Sequence, residues 1–155
     1  MSKIKAILVD IDVVTKNDRS IIRLVLKRKK MFRLYDKEFY PYFYIETEHE
    51  IKKGMYNGIE IIDVKEVKRQ IGHEERILKK ITCTDPKEVP ILAKMLSEMG
   101  KIYEKDIRFN KRYLIDKDLR PMNTVEIEYE GRYVKSIKDI GNVIDVNSLN
   151  AMTFD

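Results

Sequence analysis

Ile4-Lys5-Ala6-Ile7-Leu8-Val9-Asp10-Ile11-Asp12-Val13-Val14, a polar run from Thr15 to Ser20, and Ile21-Ile22-Arg23-Leu24-Val25-Leu26 form the stretch that decides the fold. Both apolar runs are rich in β-branched residues, which suit a pleated, half-buried surface. Asn17-Asp18 between them suits a tight turn, because each side chain can bond its own backbone. The basic tip Lys27-Arg28-Lys29-Lys30 then leads to a third strand around 31–35, and a fourth follows at 39–46. The opening reads as an antiparallel meander.

Further along, residues 59–67 and 75–83 alternate well enough for two more strands. The period changes at Asp85-Pro86-Lys87-Glu88, a helix start with a reason at each position. Asp85 can cap, the missing N–H of Pro86 costs nothing there, and Glu88 can complete a capping box. Val89, Leu92, Leu96 and Met99 then share one helical face, and Gly100 is expected to end the helix. A short strand at 101–104 precedes a charged helical stretch at 107–117. After Pro121, residues 123–138 read as a hairpin around Glu130-Gly131, and 143–155 as one or two further strands. The mixture predicts an α+β fold, a two-layer antiparallel sheet with helices.

Composition narrows the function. At 155 residues and 43% hydrophobic, the chain can bury a real core within one domain of two small lobes at most. A net charge of +5 attracts polyanions, nucleic acid or an anionic surface, although an ordinary basic protein has the same balance. Cys83 is the single cysteine, so no internal disulfide forms, and with His49 and His73 far apart no zinc pattern can be assembled. Residues 1–20 lack a signal-peptide layout and no apolar run reaches the ~20 residues of a membrane span, which points to a cytoplasmic protein without membrane contact.

The densest motif is Phe39-Tyr40-Pro41-Tyr42-Phe43-Tyr44. On a strand, Tyr40, Tyr42 and Tyr44 share one face and Phe39, Pro41 and Phe43 the other. Exposed rings beside cations stack bases; the alternative is a strand buried on both faces. Pro41 removes a ladder donor and suggests an edge or a strand end. In Asp106-Ile107-Arg108-Phe109-Asn110-Lys111-Arg112-Tyr113-Leu114-Ile115-Asp116, cations and rings interleave, which suits phosphates with a base between them; the alternative is an Arg112–Asp116 pair on a solvated helix. Asp10 and Asp12 form a D-x-D that is weak as a metal site. Asp155 follows a strand-like run, where metal nucleases place carboxylates. No Ser-His-Asp set, P-loop or Gly-rich phosphate cradle is present.

Taken in order, these segments resemble the start of an archaeal family B DNA polymerase. The likeness runs through Asp12-Val13-Val14-Thr15, Phe39 to Tyr44, Thr84-Asp85-Pro86-Lys87-Glu88-Val89-Pro90 and Tyr103 to Asp116. It closes on Phe154-Asp155, where the family's first exonuclease motif reads Phe-Asp-Ile-Glu. The resemblance implies an N-terminal, template-binding, uracil-recognition-like domain over 1–121, with 122–155 a hairpin and first strands leading into an exonuclease domain. It implies binding of single-stranded template DNA through a pocket that captures uracil, built here from Pro41, Tyr42, Glu88, Val89, Ile107, Phe109 and Arg112. Val13 stands where many relatives carry Tyr, and Arg108 where many carry Pro. Asp155 would be the first metal-binding carboxylate of the proofreading exonuclease.

The expected chain is therefore an N-terminal piece with no complete active site and no cofactor of its own. In the full-length polymerase the resemblance implies Mg2+, nucleotidyl transfer and 3′→5′ hydrolysis. The implied partners are template DNA and the chain's own exonuclease and polymerase domains, with a sliding clamp open to the parent. Two other functions fit the residues: a free-standing single-stranded nucleic-acid module stacking bases on Tyr40, Tyr42 and Tyr44, and a small metal nuclease using Asp10, Asp12 and Asp155.

Overall fold

Asn17 and Asp18 both take positive φ, at 52° and 61°. Two successive left-handed residues give the hairpin turn whose twist matches its strands, and Asn and Asp tolerate that conformation better than most side chains. The turn joins β1 (Ser2–Lys16) to β2 (Arg19–Lys27) with Lys16 opposite Arg19. A computed structural model describes residues 1–141, so the strands expected at 143–155, and Asp155, lie outside the described residues.

The described chain is sheet-rich with two α-helices, as the sequence predicts, and it divides into two compact units. The first comprises 1–39 and the chain from Phe109 onward; the second is Tyr40–Arg108. In the first unit β1, β2, β3 (Met31–Asp36), β10 (Tyr133–Gly141) and β9 (Thr124–Glu130) close into a barrel in that order. Every pairing is antiparallel except the closure, a parallel contact of β10 with β3 at Tyr133 and Tyr35. The Tyr35 N–H donates to the Arg132 carbonyl at 2.8 Å there. Inward-pointing Ala6, Leu8, Ile22, Leu24, Leu26, Leu34, Val125, Ile127 and Val134 fill the interior. The alternation along β2, with Ile22, Leu24 and Leu26 fully buried, is what a barrel wall requires. Helix α2 (Phe109–Asp116) adds Phe109 and Tyr113 to the same core.

In the second unit the sheet order is β5, β6, β7, β4, β8, formed by Gly54–Tyr56, Ile59–Ile71, Glu74–Cys83, Tyr42–Glu46 and Lys101–Tyr103. Helix α1 (Val89–Leu96) lays Val89, Leu92, Ala93 and Leu96 on Phe43, Ile45, Ile61, Ile81 and Cys83. Eight residues are too few for a helix to hold itself in water. Burying three large aliphatic side chains, at about 2 kcal/mol each, is what keeps it folded.

The structure corrects several sequence expectations. The fourth strand does not extend the meander: β4 pairs with β7 and β8 in the second unit. Pro41 cannot donate to a ladder, and its carbonyl instead accepts from the Cys83 N–H at 3.1 Å. The hairpin expected after Pro121 is present as β9 and β10, and β9 runs beside β1 from Ser2 opposite Tyr129 to Ile7 opposite Thr124. The helix start holds, with Asp85 Oδ1 accepting from the Lys87 N–H at 2.9 Å, but the Glu88 carboxylate takes the Thr84 hydroxyl at 2.6 Å. Helix α1 stops at Leu96, so Gly100 does not end it. A Cβ on Gly100 would lie 2.0 Å from the Glu46 carbonyl oxygen; the glycine lets two backbones meet.

Candidate nucleic-acid interface

Pro41, Tyr42, Glu88 and Val89 come together at one corner of the inserted unit. Tyr42 opens β4 opposite Thr82, and the Pro41 carbonyl holds the next residue of β7, Cys83. Thr84 follows and its hydroxyl fixes Glu88, which leads into Val89 and α1. The strand end, the turn and the helix start are thus tied through three consecutive residues, 82–84. Thr84 was not singled out from the sequence, although its four-residue spacing to Glu88 is the signal that finds it. Pro41, Tyr42 and Val89 are buried, whereas Glu88 is half-buried. Ile107, half-buried, and Arg108, exposed, close the inserted unit.

The barrel unit carries Val13, Phe109 and Arg112. The Asn110 amide of α2 donates to the Ile11 carbonyl of β1 at 3.3 Å, which seats the helix over that strand. Val13, two residues further along β1, is 39% exposed. Phe109 stacks on Phe39 with centroids 5.4 Å apart, and Tyr113 meets Phe39 edge-on at 5.0 Å. Arg112 is buried at 4% exposure rather than displayed on a solvated face. Beneath the helix the Tyr113 hydroxyl donates to Asp36 Oδ2 at 2.8 Å, both residues being buried. Burial pushes the Tyr113 phenol well above its usual range, and the charge and hydrogen bond of Asp36 push it further.

Tyr42 and Tyr44 do not form a stacking platform. Tyr42 and Tyr44 are 8% and 5% exposed, packed edge to face and clustered with Leu78. The Lys80 ammonium sits 4.0 Å over the Tyr42 ring and the Arg69 guanidinium 4.8 Å over Tyr44. With Phe43 and Ile45 buried under α1, β4 is covered on both faces, the alternative that the aromatic run left open. The D-x-D motif is also occupied otherwise. Arg23 grips Asp12 through Nε and Nη2, and Asp10 accepts from the Ile11 N–H at 2.8 Å beside a bulge at residues 8–10. Among the described residues no three His, Cys, Asp or Glu side chains gather as a metal site needs, and no helix is long and apolar enough to cross a membrane.

No protein-family model matches the chain. It is 34% identical over 149 residues to a DNA polymerase of Archaeoglobus fulgidus, a match covering 89% of this chain and 19% of that one. A DNA polymerase of Methanocaldococcus jannaschii is 35% identical over 145 residues, covering 83% of this chain and 9% of its own length. This chain is a homologue of the N-terminal domain of archaeal family B DNA polymerases. The solved structure of the family B DNA polymerase from the hyperthermophilic archaeon Pyrobaculum calidifontis shares the fold, with a TM-score of 0.73 at 22% identity. That match takes in 86% of this chain and 20% of the other. The chain thus spans about a fifth or less of the length of the curated polymerases it matches.

Within this family B domain the sequence-predicted residues fall into two groups, one per unit. Pro41, Tyr42, Glu88 and Val89 are physically joined, with Ile107 and Arg108 further along the same unit; Val13, Phe109 and Arg112 belong to the barrel.

Proposed function

We propose that the chain is the template-binding part of an archaeal DNA polymerase, holding single-stranded DNA and reading template uracil. The observation that carries this reading is the homology to archaeal DNA polymerases over 89% of the chain. The tied corner of Pro41, Tyr42, Glu88 and Val89 supports it, because those residues are drawn from two segments about 45 positions apart. Ile107 and Arg108 from the same unit, and Val13, Phe109 and Arg112 from the barrel, join the proposal on family resemblance alone. Polymerisation, proofreading from Asp155, Mg2+ and a sliding clamp are proposed for the polymerase as a whole.

A rigid apolar slot discriminates uracil from thymine by volume. Thymine differs by its 5-methyl group, and forcing one extra methyl into a packed site costs roughly 1–3 kcal/mol. That corresponds to about 5- to 150-fold in affinity. A single-stranded template adds little unstacking cost, since its bases are already free to turn out. Titrating the chain with matched oligonucleotides that differ at one uracil or thymine tests this. Tighter binding to the uracil strand by fivefold or more is expected. Equal affinities would remove the uracil reading, and no binding to either strand would remove the DNA reading as well.

A further inference from the structure

The two units differ in charge. The inserted unit holds thirteen Lys and Arg against thirteen Asp and Glu, whereas the barrel unit holds eighteen against thirteen. The whole excess of +5 therefore belongs to the barrel unit. Much of its basic side-chain chemistry is internal: Arg23 is on Asp12, Lys3 on Glu126 at 2.6 Å, Lys16 over the Tyr35 ring and Lys37 over the Tyr133 ring. At the β2–β3 tip it is not. Among the described residues Arg28, Lys29 and Lys30 form no ion pair and are exposed; Lys5, exposed beside them on β1, lies opposite Glu126 and forms no closer pair than that cross-strand attraction.

These four cations surround apolar surface. One recess of about 530 Å3 is lined by Ile4, Phe32, Arg28, Lys29 and Lys30. A second, of about 430 Å3, adjoins it through Ile4 and Arg28 and brings in Lys3, Lys5 and Glu126. Ile4 and Phe32 are partly buried and pack on the barrel core, which fixes the floor of the recess. Unpaired cations around an aromatic and aliphatic floor match a strand that offers phosphates and flat bases together. A simple anion has no use for the floor, and an apolar ligand has none for the cations.

We propose that this end of the barrel is a second contact for single-stranded nucleic acid, with Arg28, Lys29, Lys30 and Lys5 on phosphates and a base against Phe32 and Ile4. It lies on a different set of residues from the uracil corner and does not depend on that reading. The test is fluorescence anisotropy of the 155-residue chain with a single-stranded DNA oligonucleotide across a salt series. The Arg28→Gln/Lys29→Gln/Lys30→Gln variant removes three phosphate contacts from an exposed tip, with a melting curve as the folding control.

Each contact contributes about 0.7 to the slope of log affinity on log salt, so the slope should flatten by about 2 and affinity at 0.1 M salt should fall about a hundredfold. The preference for uracil over thymine at the other corner should stay as it is in the unsubstituted chain, which separates the two proposals. An abasic strand of equal length should bind at least fivefold more weakly, since it has nothing to stack. An unchanged slope in the variant would overturn the proposal. So would equal binding of the abasic strand, equal binding of an acidic peptide of the same charge, or absence of salt-dependent binding.

Discussion

Tyr113→Phe removes one oxygen atom from the barrel and leaves the ring. The ring's contacts with Phe39 and the core are therefore kept, and the variant isolates the hydroxyl that donates to Asp36 at 2.8 Å. Tyr113 is fully buried and Asp36 is 5% exposed, so no solvent replaces the lost donor. Asp36 keeps one partner, the Glu38 N–H on Oδ1 at 3.0 Å. A buried hydrogen bond to a charged group contributes about 1.5–3 kcal/mol, and the orphaned oxygen keeps its desolvation penalty. We expect a loss of about 2–3 kcal/mol, a large part of the 5–15 kcal/mol typical of a folded domain. The chain has no Trp, so urea unfolding is best followed by far-UV circular dichroism. A double-mutant cycle with Asp36→Asn assigns the loss to the pair, with a coupling of about 1–2 kcal/mol. A Tyr113→Phe variant within about 0.5 kcal/mol of the parent would refute the reasoning, since surface substitutions behave that way.

Gly100→Ala drives a methyl group to 2.0 Å from the Glu46 carbonyl and 2.9 Å from Thr47 Cβ, so β4 and β8 must separate; a loss of about 1–3 kcal/mol or more in chemical denaturation is expected. Asp139 is pushed up by burial, but the Gly141 N–H, the Asn123 amide and the Arg120 N–H outweigh this and hold its carboxyl below the usual 3.8. Its contribution to stability is full above about pH 5 and fades as pH falls below 3.8 towards the folded value. The gap in melting temperature between the parent and Asp139→Asn should therefore narrow on acidification, and a widening gap would contradict the assignment. Burial pushes the Cys83 thiol up to about 12, so it should react with a thiol reagent at pH 8 only once the chain unfolds. Equal labelling rates with and without denaturant would show that the site opens.

The elements that local pattern determines were legible in the sequence. The β-branched runs at 4–14 and 21–26, the Asn17-Asp18 turn, the Asp85-Pro86 start and the Glu130-Gly131 hairpin all depend on neighbours within a few residues. What was not legible depends on distant pairing. Closure of the barrel needs β9 to find β1 more than a hundred residues away, and the pairing of Tyr133 with Tyr35 leaves no local trace. Parity told which tyrosines share a face of β4, but not that the strand would be flanked by β7 and β8 and covered on both sides. For the candidate site, resemblance picked out Pro41, Tyr42, Glu88 and Val89, whereas the link through 82–84 required the register of β4 against β7.

The stack of Phe39 on Phe109 joins the two residues at which the barrel's chain breaks off and resumes. The 69 residues between them, Tyr40–Arg108, form a loop whose two ends meet on one pair of rings. Closing a loop of that length costs on the order of 4 kcal/mol in chain entropy, against roughly 1 kcal/mol for a four-residue link. In hereditary terms the barrel is a socket: lengthening, shortening or exchanging what is plugged in between the two phenylalanines changes its closure entropy by only a few kcal/mol and leaves its strand pairing untouched. An expanded or replaced insert is the kind of change such a chain can survive.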